Sequence, residues 1–242
     1  MNIIDCSWEK KNIGRSTVEI TINRDDRIRN DMFDELLCSY EYVVVKVPMN
    51  MIEYNYLLSN LGFILMEVQL NVHSLLNEFK WNCFSLNLDD IKFEMVSSIN
   101  DIYDITQQIT NDMFSTDRVT LDKNFGAEIG RNRYVNWIKS DCISNKSQIA
   151  RVIYKNHNVG FMMFKIEDRV FHLLLNGLYK KWQGLHLGIL TPGTPIIYSK
   201  RNGNIDIVKT SISSNNIPVV KLYNRLGYVL DNQTYVFVKH CI

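Results

Sequence analysis

Residues Gln148–Leu178 constrain the fold more than any other stretch of the chain. They divide into three strand-like runs, Gln148–Tyr154, Val159–Ile166 and Val170–Leu178. Asn156-His157-Asn158 and Glu167-Asp168-Arg169 supply the turns between them, because Asn and Asp tolerate the left-handed backbone that tight hairpins need. Connections this short dictate an antiparallel meander, and every other element must be placed around it.

Before the meander, Ile91–Val96 alternates as a strand. Ser98 caps a helix that runs to about Ile109, Phe114–Gly126 is polar and irregular, and Ala127–Ile138 resumes helical spacing. After the meander come a loop, a helix, a strand Ile205–Ser211, a helix Asn216–Leu226 and two closing strands, Tyr228–Asp231 and Tyr235–His240. The first third reads strand, helix, strand, helix, strand. Its strands are Thr17–Asn23, the β-branched run Tyr42–Val47 and Phe63–Val72. Its second helix opens at Pro48 and Asn50 and stops at Gly62, and Ser74–Leu88 is a connector. Strands interleaved with helices around one mixed sheet define an α/β (α+β) chain. We expect two parts: residues 1–88, a small non-catalytic α/β domain, and residues 89–242, which carry the chemistry.

Charge excludes one class of function. The chain has 242 residues, with 27 Lys+Arg against 26 Asp+Glu. A protein that grips nucleic acid through its phosphates shows a basic surplus, so no nucleic-acid partner is expected. Met1–Lys11 has no apolar core of a signal peptide, and the longest apolar runs, Tyr42–Val47 and Leu61–Met66, are far too short to span a bilayer. A cytoplasmic protein without a membrane partner is the expectation. The five cysteines, Cys6, Cys38, Cys83, Cys142 and Cys241, form neither a disulfide framework nor a metal clip. No two histidines have metal-ligand spacing, so no metal is expected.

A faint repeat links the two parts. Leu58-Ser59-Asn60-Leu61-Gly62-Phe63-Ile64-Leu65 echoes Tyr223-Asn224-Arg225-Leu226-Gly227-Tyr228-Val229-Leu230. Each ends a helix on Leu-Gly and starts a strand on an aromatic residue. A common helix-stop phrase would give the same pattern.

Two motifs carry candidate chemistry. Trp182-Gln183-Gly184-Leu185-His186-Leu187-Gly188-Ile189 lies between a strand and a helix. Glycines at that junction let backbone N–H groups approach a phosphate, and the helix N-terminus adds a favourable dipole. They equally suit a helix start packed tightly on the sheet. Further on comes Asn216-Ile217-Pro218-Val219-Val220-Lys221-Leu222-Tyr223-Asn224-Arg225-Leu226-Gly227-Tyr228.

Together these stretches resemble the GNAT superfamily of acyl-CoA-dependent N-acyltransferases. The loop resembles the family's [Gln/Arg]-x-x-Gly-x-Gly pyrophosphate loop, and the later stretch its Asn-x-x-Ala-x-x-Leu-Tyr-x-x-x-Gly-Phe signature. The resemblance covers about the last 150 residues. The plan of a degenerate first half before a GNAT domain is similar to that of TDP-fucosamine (TDP-4-amino-4,6-dideoxygalactose) N-acetyltransferases.

The resemblance implies acetyl-CoA as cosubstrate. It implies that Asn176, Gly177 and Leu178 pair with the pantetheine arm, with the Leu178 N–H on the thioester carbonyl. It implies that Gln183, Gly184, Leu185, His186, Leu187, Gly188 and Ile189 wrap the pyrophosphate. Asn216 would hydrogen-bond the arm, and Tyr223 would protonate the departing thiolate.

Two features depart from the pattern. His186 stands where the loop's middle glycine belongs and either crowds the phosphate or contacts it. Thr191-Pro192-Gly193-Thr194-Pro195 interrupts the helix that should follow, so that helix is expected to restart near Pro195 or to break. For the acceptor, Arg118, Arg131 and Arg133 are candidates to receive a phosphate or carboxylate, with Tyr134 beside them. His172 is a candidate base whose facing the alternation leaves open. The expected reaction moves acetyl from acetyl-CoA to a primary amine, foremost a nucleotide-linked amino sugar. Another small amine or a protein N-terminus is the alternative acceptor, a non-catalytic GNAT-like module the alternative class, and a homodimer is allowed.

Overall fold

The computed structural model describes residues 1–26, 31–81 and 86–241; Cys83 lies outside them. Ten strands form one mixed sheet. In chain order the strands are β1 (Asn2–Asp5), β2 (Thr17–Thr21), β3 (Tyr42–Pro48), β4 (Ile64–Leu75), β5 (Ile91–Val96), β6 (Gln148–Tyr154), β7 (His157–Glu167), β8 (Val170–Leu178), β9 (Ile207–Ser213) and β10 (Val229–His240). The helices are α1 (Glu9–Ile13), α2 (Asp31–Ser39), α3 (Ile52–Asn60), α4 (Ile99–Gln107), α5 (Arg118–Leu121), α6 (Ala127–Ile143), α7 (Leu190–Asn202) and α8 (Ile217–Arg225).

The meander is present as β6-β7-β8, extended by β5 on one side. Its turns sit at Lys155-Asn156 and Asp168-Arg169, all four residues at positive φ, as two-residue hairpin loops require. Ser98 caps α4 by accepting the Asp101 N–H.

The sheet order is β1-β2-β3-β10-β4-β9-β8-β7-β6-β5. Residues 1–88 and 89–242 therefore share one sheet, with β10 between β3 and β4, and β4 between β10 and β9. The faint repeat is a structural one. Adding 165 (207 − 42) to the bounds of β3, α3 and β4 reproduces the bounds of β9, α8 and β10.

The pairing repeats too. Gln69↔Ser213 on β4·β9 corresponds to Thr234↔Pro48 on β10·β3, and Leu75↔Ile207 corresponds to His240↔Tyr42. Between β4 and β10 the register is self-symmetric about Gln69↔Thr234. For antiparallel strands this makes a pseudo-two-fold axis perpendicular to the sheet. Each unit ends its helix the same way, with Gly62 (φ +81) and Gly227 (φ +73) in the left-handed conformation that favours glycine.

The core follows from this layering. Tyr42 and Val44 face one side of β3, whereas Val43, Val45 and Val47 face the other, and all five are inaccessible. A strand buried on both faces needs such an unbroken apolar run. Helices α2 and α3 cover the first part, α7 and α8 the second, while α1 and α5 pack with β3 and β10 on the opposite face.

Two expectations are corrected. The closing pair of strands is one continuous β10, bulged between Leu230 and Gln233. The polar Asp231-Asn232 is the bulge, not a turn. The helix after the glycine loop neither breaks nor waits for Pro195. A 3₁₀ turn at Leu187–Ile189 leads into α7 at Leu190. Pro192 falls in the first turn, where no intrahelical donor is needed. Pro195 removes a donor to the Thr191 carbonyl, but Asn176 Nδ2 donates to that oxygen instead at 2.5 Å. The Tyr228 hydroxyl donates to the Pro192 carbonyl at 2.8 Å.

Candidate active site

Strands β8 and β9 run parallel and pair only over Val170↔Ile207 to His172↔Lys209. Beyond that point they diverge. β8 carries a bulge between its Met163↔Leu175 and Phe164↔Leu173 pairs with β7, which re-aims the strand where the divergence begins. The Tyr179 N–H donates to Val159 on β7 at 3.0 Å. Backbone groups alternate sides along such a ladder, so Asn176 and Leu178 direct theirs away from β7, into the gap.

A cleft of ≈ 680 Å³ occupies this gap. Of the residues singled out in the sequence it brings together Asn176, Gly177, Leu178, Gln183, Gly188, Asn216 and Tyr223, with Arg118, Arg133 and Tyr134 at a second, charged end. Gln183 Nε2 donates to the Leu178 carbonyl at 3.0 Å, folding the loop back onto the strand. A side chain on Gly188 would come within 3.3 Å of Leu222 Cδ1, so that glycine lets the loop pack against α8.

The other loop residues lie outside the cleft. Gly184, Leu185 and His186 are exposed, and Leu187 and Ile189 are buried in the core. His186 has φ +59, a left-handed backbone that explains why glycine suits this position. Arg131 is not in the cleft either. Its Nε donates to the Ile109 carbonyl at 2.6 Å, tying α6 to the end of α4. His172 sits in the paired part of β8, beside Lys165 and Lys209, and does not line the cleft.

Asn216 caps α8, its Oδ1 accepting the Val219 N–H at 3.3 Å. One helical stretch on, Tyr223 is 3% exposed and faces the vertex of the gap. Burial pushes its phenol well above the ordinary value, partly offset by a hydrogen bond with Thr210. Thr210 Oγ1 donates to the Leu173 carbonyl at 2.9 Å and so bridges the two strands as they part. At neutral pH Tyr223 is thus a protonated, desolvated hydroxyl at the head of the cleft.

The charged end contains residues that motif reading missed. Glu19, Lys46, Glu67 and Gln69 come from β2, β3 and β4, and Phe114, Asp117 and Trp137 join them. Lys46 pairs with Glu19 at 2.7 Å and Arg133 with Glu9 at 2.6 Å. The Tyr134 hydroxyl donates to Asp117 Oδ1 at 2.7 Å, while Asp117 Oδ2 accepts the Val119 N–H at the start of α5. Burial raises the pKa of Glu67, and Ser213 and Arg118 oppose the shift. Its standing as the single carboxylate of β4 was the one local signal for Glu67.

No protein-family model matches the sequence, and no curated protein matches it. Solved structures do. A functionally unknown conserved protein from Staphylococcus epidermidis superposes with a TM-score of 0.64 at 16% identity, covering 94% of this chain and 85% of the other. A tandem GNAT protein from the clavulanic acid biosynthesis pathway gives 0.57 at 9%, covering 93% and 75%. A GCN5-related N-acetyltransferase from Kribbella flavida gives 0.55 at 11%, covering 93% and 81%. The chain has the GNAT fold, laid out as a tandem pair of related units around one sheet. Among the described residues no helix is long and apolar enough to cross a membrane, and no cluster of His, Cys, Asp or Glu is arranged to hold a metal ion.

Proposed function

We propose that this chain is an acetyl-CoA-dependent N-acetyltransferase acting on a primary amine. The observation that carries the reading is the parting of β8 from β9 with Tyr223 at its vertex. An extended pantetheine arm needs a strand edge with free backbone groups, and Asn176 and Leu178 offer one. The start of α7 and the Gln183–Gly188 loop lie at the mouth, where a pyrophosphate gains from helix N–H groups.

In the reaction the amine nitrogen attacks the thioester carbonyl, the C–N bond forms and the C–S bond breaks. The Leu178 N–H is suited to the thioester oxygen, as a donor aimed where negative charge develops. The sulfur takes the electron pair and a proton from Tyr223, and the proton shed by the nitrogen restores the phenol. Free thiols have pKa values of about 8.5, below a buried phenol. The same desolvation raises the thiolate, which narrows the mismatch and makes the transfer feasible.

The first 88 residues serve the reaction without a cofactor gap of their own, since β2 stays paired with β3 to its end and the Ile22 N–H still donates to Lys46. The charged end is where the acceptor binds, and a nucleotide-linked amino sugar is the acceptor we put first. Thiol release from acetyl-CoA in the presence of an amine panel, with calorimetric titration of CoA, tests the reading. Absence of detectable CoA binding at millimolar concentration overturns it in favour of a non-catalytic module.

A further inference from the structure

We infer that the acceptor is an amine that itself carries an anionic group, a carboxylate or a phosphate, and that Arg118 binds this group. The inference rests on the transferase reading above and deepens it. Arg118 lies at the N-terminus of α5 and lines the charged end of the cleft. Its Nε is inaccessible to water and has no hydrogen-bond partner. A guanidinium has five donors in a planar fork and cannot shed its charge, and a buried donor of that fork left unpaired is costly.

The carboxylates around it are engaged elsewhere. Asp117 is held by Tyr134 and the first turn of α5, Glu19 by Lys46 and Glu9 by Arg133. The carboxylate that remains is Glu67, whose hydrogen bond is to Ser213 and which feels Arg118 only as a nearby charge. Among the described residues of the cleft Arg118 has no ion-pair partner, and of the two carboxylates that also lack one, Asp117 is held by Tyr134 and the Val119 N–H while Glu67 has only Ser213. Phe114 and Tyr134, their ring centroids 4.3 Å apart, add an aromatic wall to the same cleft. An ammonium facing Glu67 and an anion on Arg118 would complete both. A planar bidentate partner such as a carboxylate or phosphate suits that fork.

The test uses the full chain and matched pairs of amines. Thiol release from acetyl-CoA is followed with a set of amino acids against their amides, and with glucosamine 6-phosphate against glucosamine. The expected result is at least one anionic amine preferred about tenfold or more in kcat/KM over its uncharged partner. The pair that shows the preference distinguishes carboxylate from phosphate. Arg118→Gln should then erase the preference by raising KM for the anionic amine about 10- to 100-fold, the range for losing a charge-assisted pair. The loss is read as a ratio against the uncharged amine on the same variant, and the melting temperature should not fall, because the change removes a buried unpaired donor. Arg118→Lys keeps the charge without the fork and should retain part of the preference, which guards against a variant that simply misfolds.

Equal use of charged and uncharged amines, or an unchanged preference in Arg118→Gln, overturns the proposal. So does acetyl-CoA binding without acetylation of any anionic amine in the panel. Failure to bind acetyl-CoA at all is a different result, which removes the transferase reading and this proposal with it.

Discussion

The units β3-α3-β4 and β9-α8-β10 have the same lengths and the same register, yet only one faces a cleft between parting strands. The differences lie in a few side chains. At the 165-residue offset, Tyr223 corresponds to Leu58, Asn216 to Met51 and Thr210 to Val45. Leu58 is inaccessible within the apolar core of its unit, and Met51 begins α3 without a side-chain cap. Where the second unit has a hydroxyl pair at the vertex of parting strands, the first has valine and leucine under strands that stay closed. The backbone repeat supplies the scaffold; polar substitutions and the splayed strand supply the site.

The largest expected effect comes from making the active unit resemble the silent one. Tyr223→Phe should lower turnover about 10²–10⁴-fold, the range for a lost general acid, with CoA affinity kept. Unchanged kcat at saturating acetyl-CoA would remove the proton-donor role. The reverse change should not create a site. Leu58→Tyr places a bulky phenol where Val45 stands in place of Thr210, so it should cost about 1–3 kcal/mol of stability and add no activity. A second CoA-binding equivalent in either protein, seen by calorimetry, would break the comparison.

Capping differs more gently. Asn216→Ala should lose about 1 kcal/mol and weaken CoA binding, whereas Met51→Asn should stabilise the fold by a similar or smaller amount without altering CoA affinity. Denaturant midpoints read both. Smallest is His186→Gly. The left-handed backbone there is relieved by glycine, while the freer unfolded chain offsets the gain, so stability should change by less than about 1 kcal/mol. Acetyl-CoA affinity at pH 6 and pH 8 should hold or tighten slightly. Marked weakening at pH 6 alone would show that the imidazole contacts a phosphate.

Much of this arrangement was legible along the chain. The meander, the Ser98 cap and the glycine stops are local events, set by residues a few positions apart. The sheet order was not legible, because the interleaving of β4 and β10 depends on pairing across 165 residues. Glu19, Lys46 and Glu67 reach the cleft only through that pairing, and so escaped motif reading. The helix at Pro195 was misread for a related reason. The cost of the proline is local, but the group that answers it, Asn176, comes from β8. Arg131 and His172 lie outside the cleft, and the sequence could not say which way each side chain turns.

The exchange of β4 and β10 also bears on how the molecule is made. β3 forms its antiparallel edge with a strand whose Thr234 lies 186 positions (234 − 48) after Pro48. Loop closure over such a distance is paid before its contacts are gained. The first unit therefore leaves the ribosome with β3 and β4 lacking the strand that belongs between them, two open edges that invite wrong partners. Only when β10 threads into that slot does the sheet close, and the helix bearing Tyr223 immediately precedes it. Seating of Tyr223 at the head of the cleft and completion of the fold are one late event, so a nascent chain stalled before β10 should be prone to aggregate and, on the proposed reading, inactive.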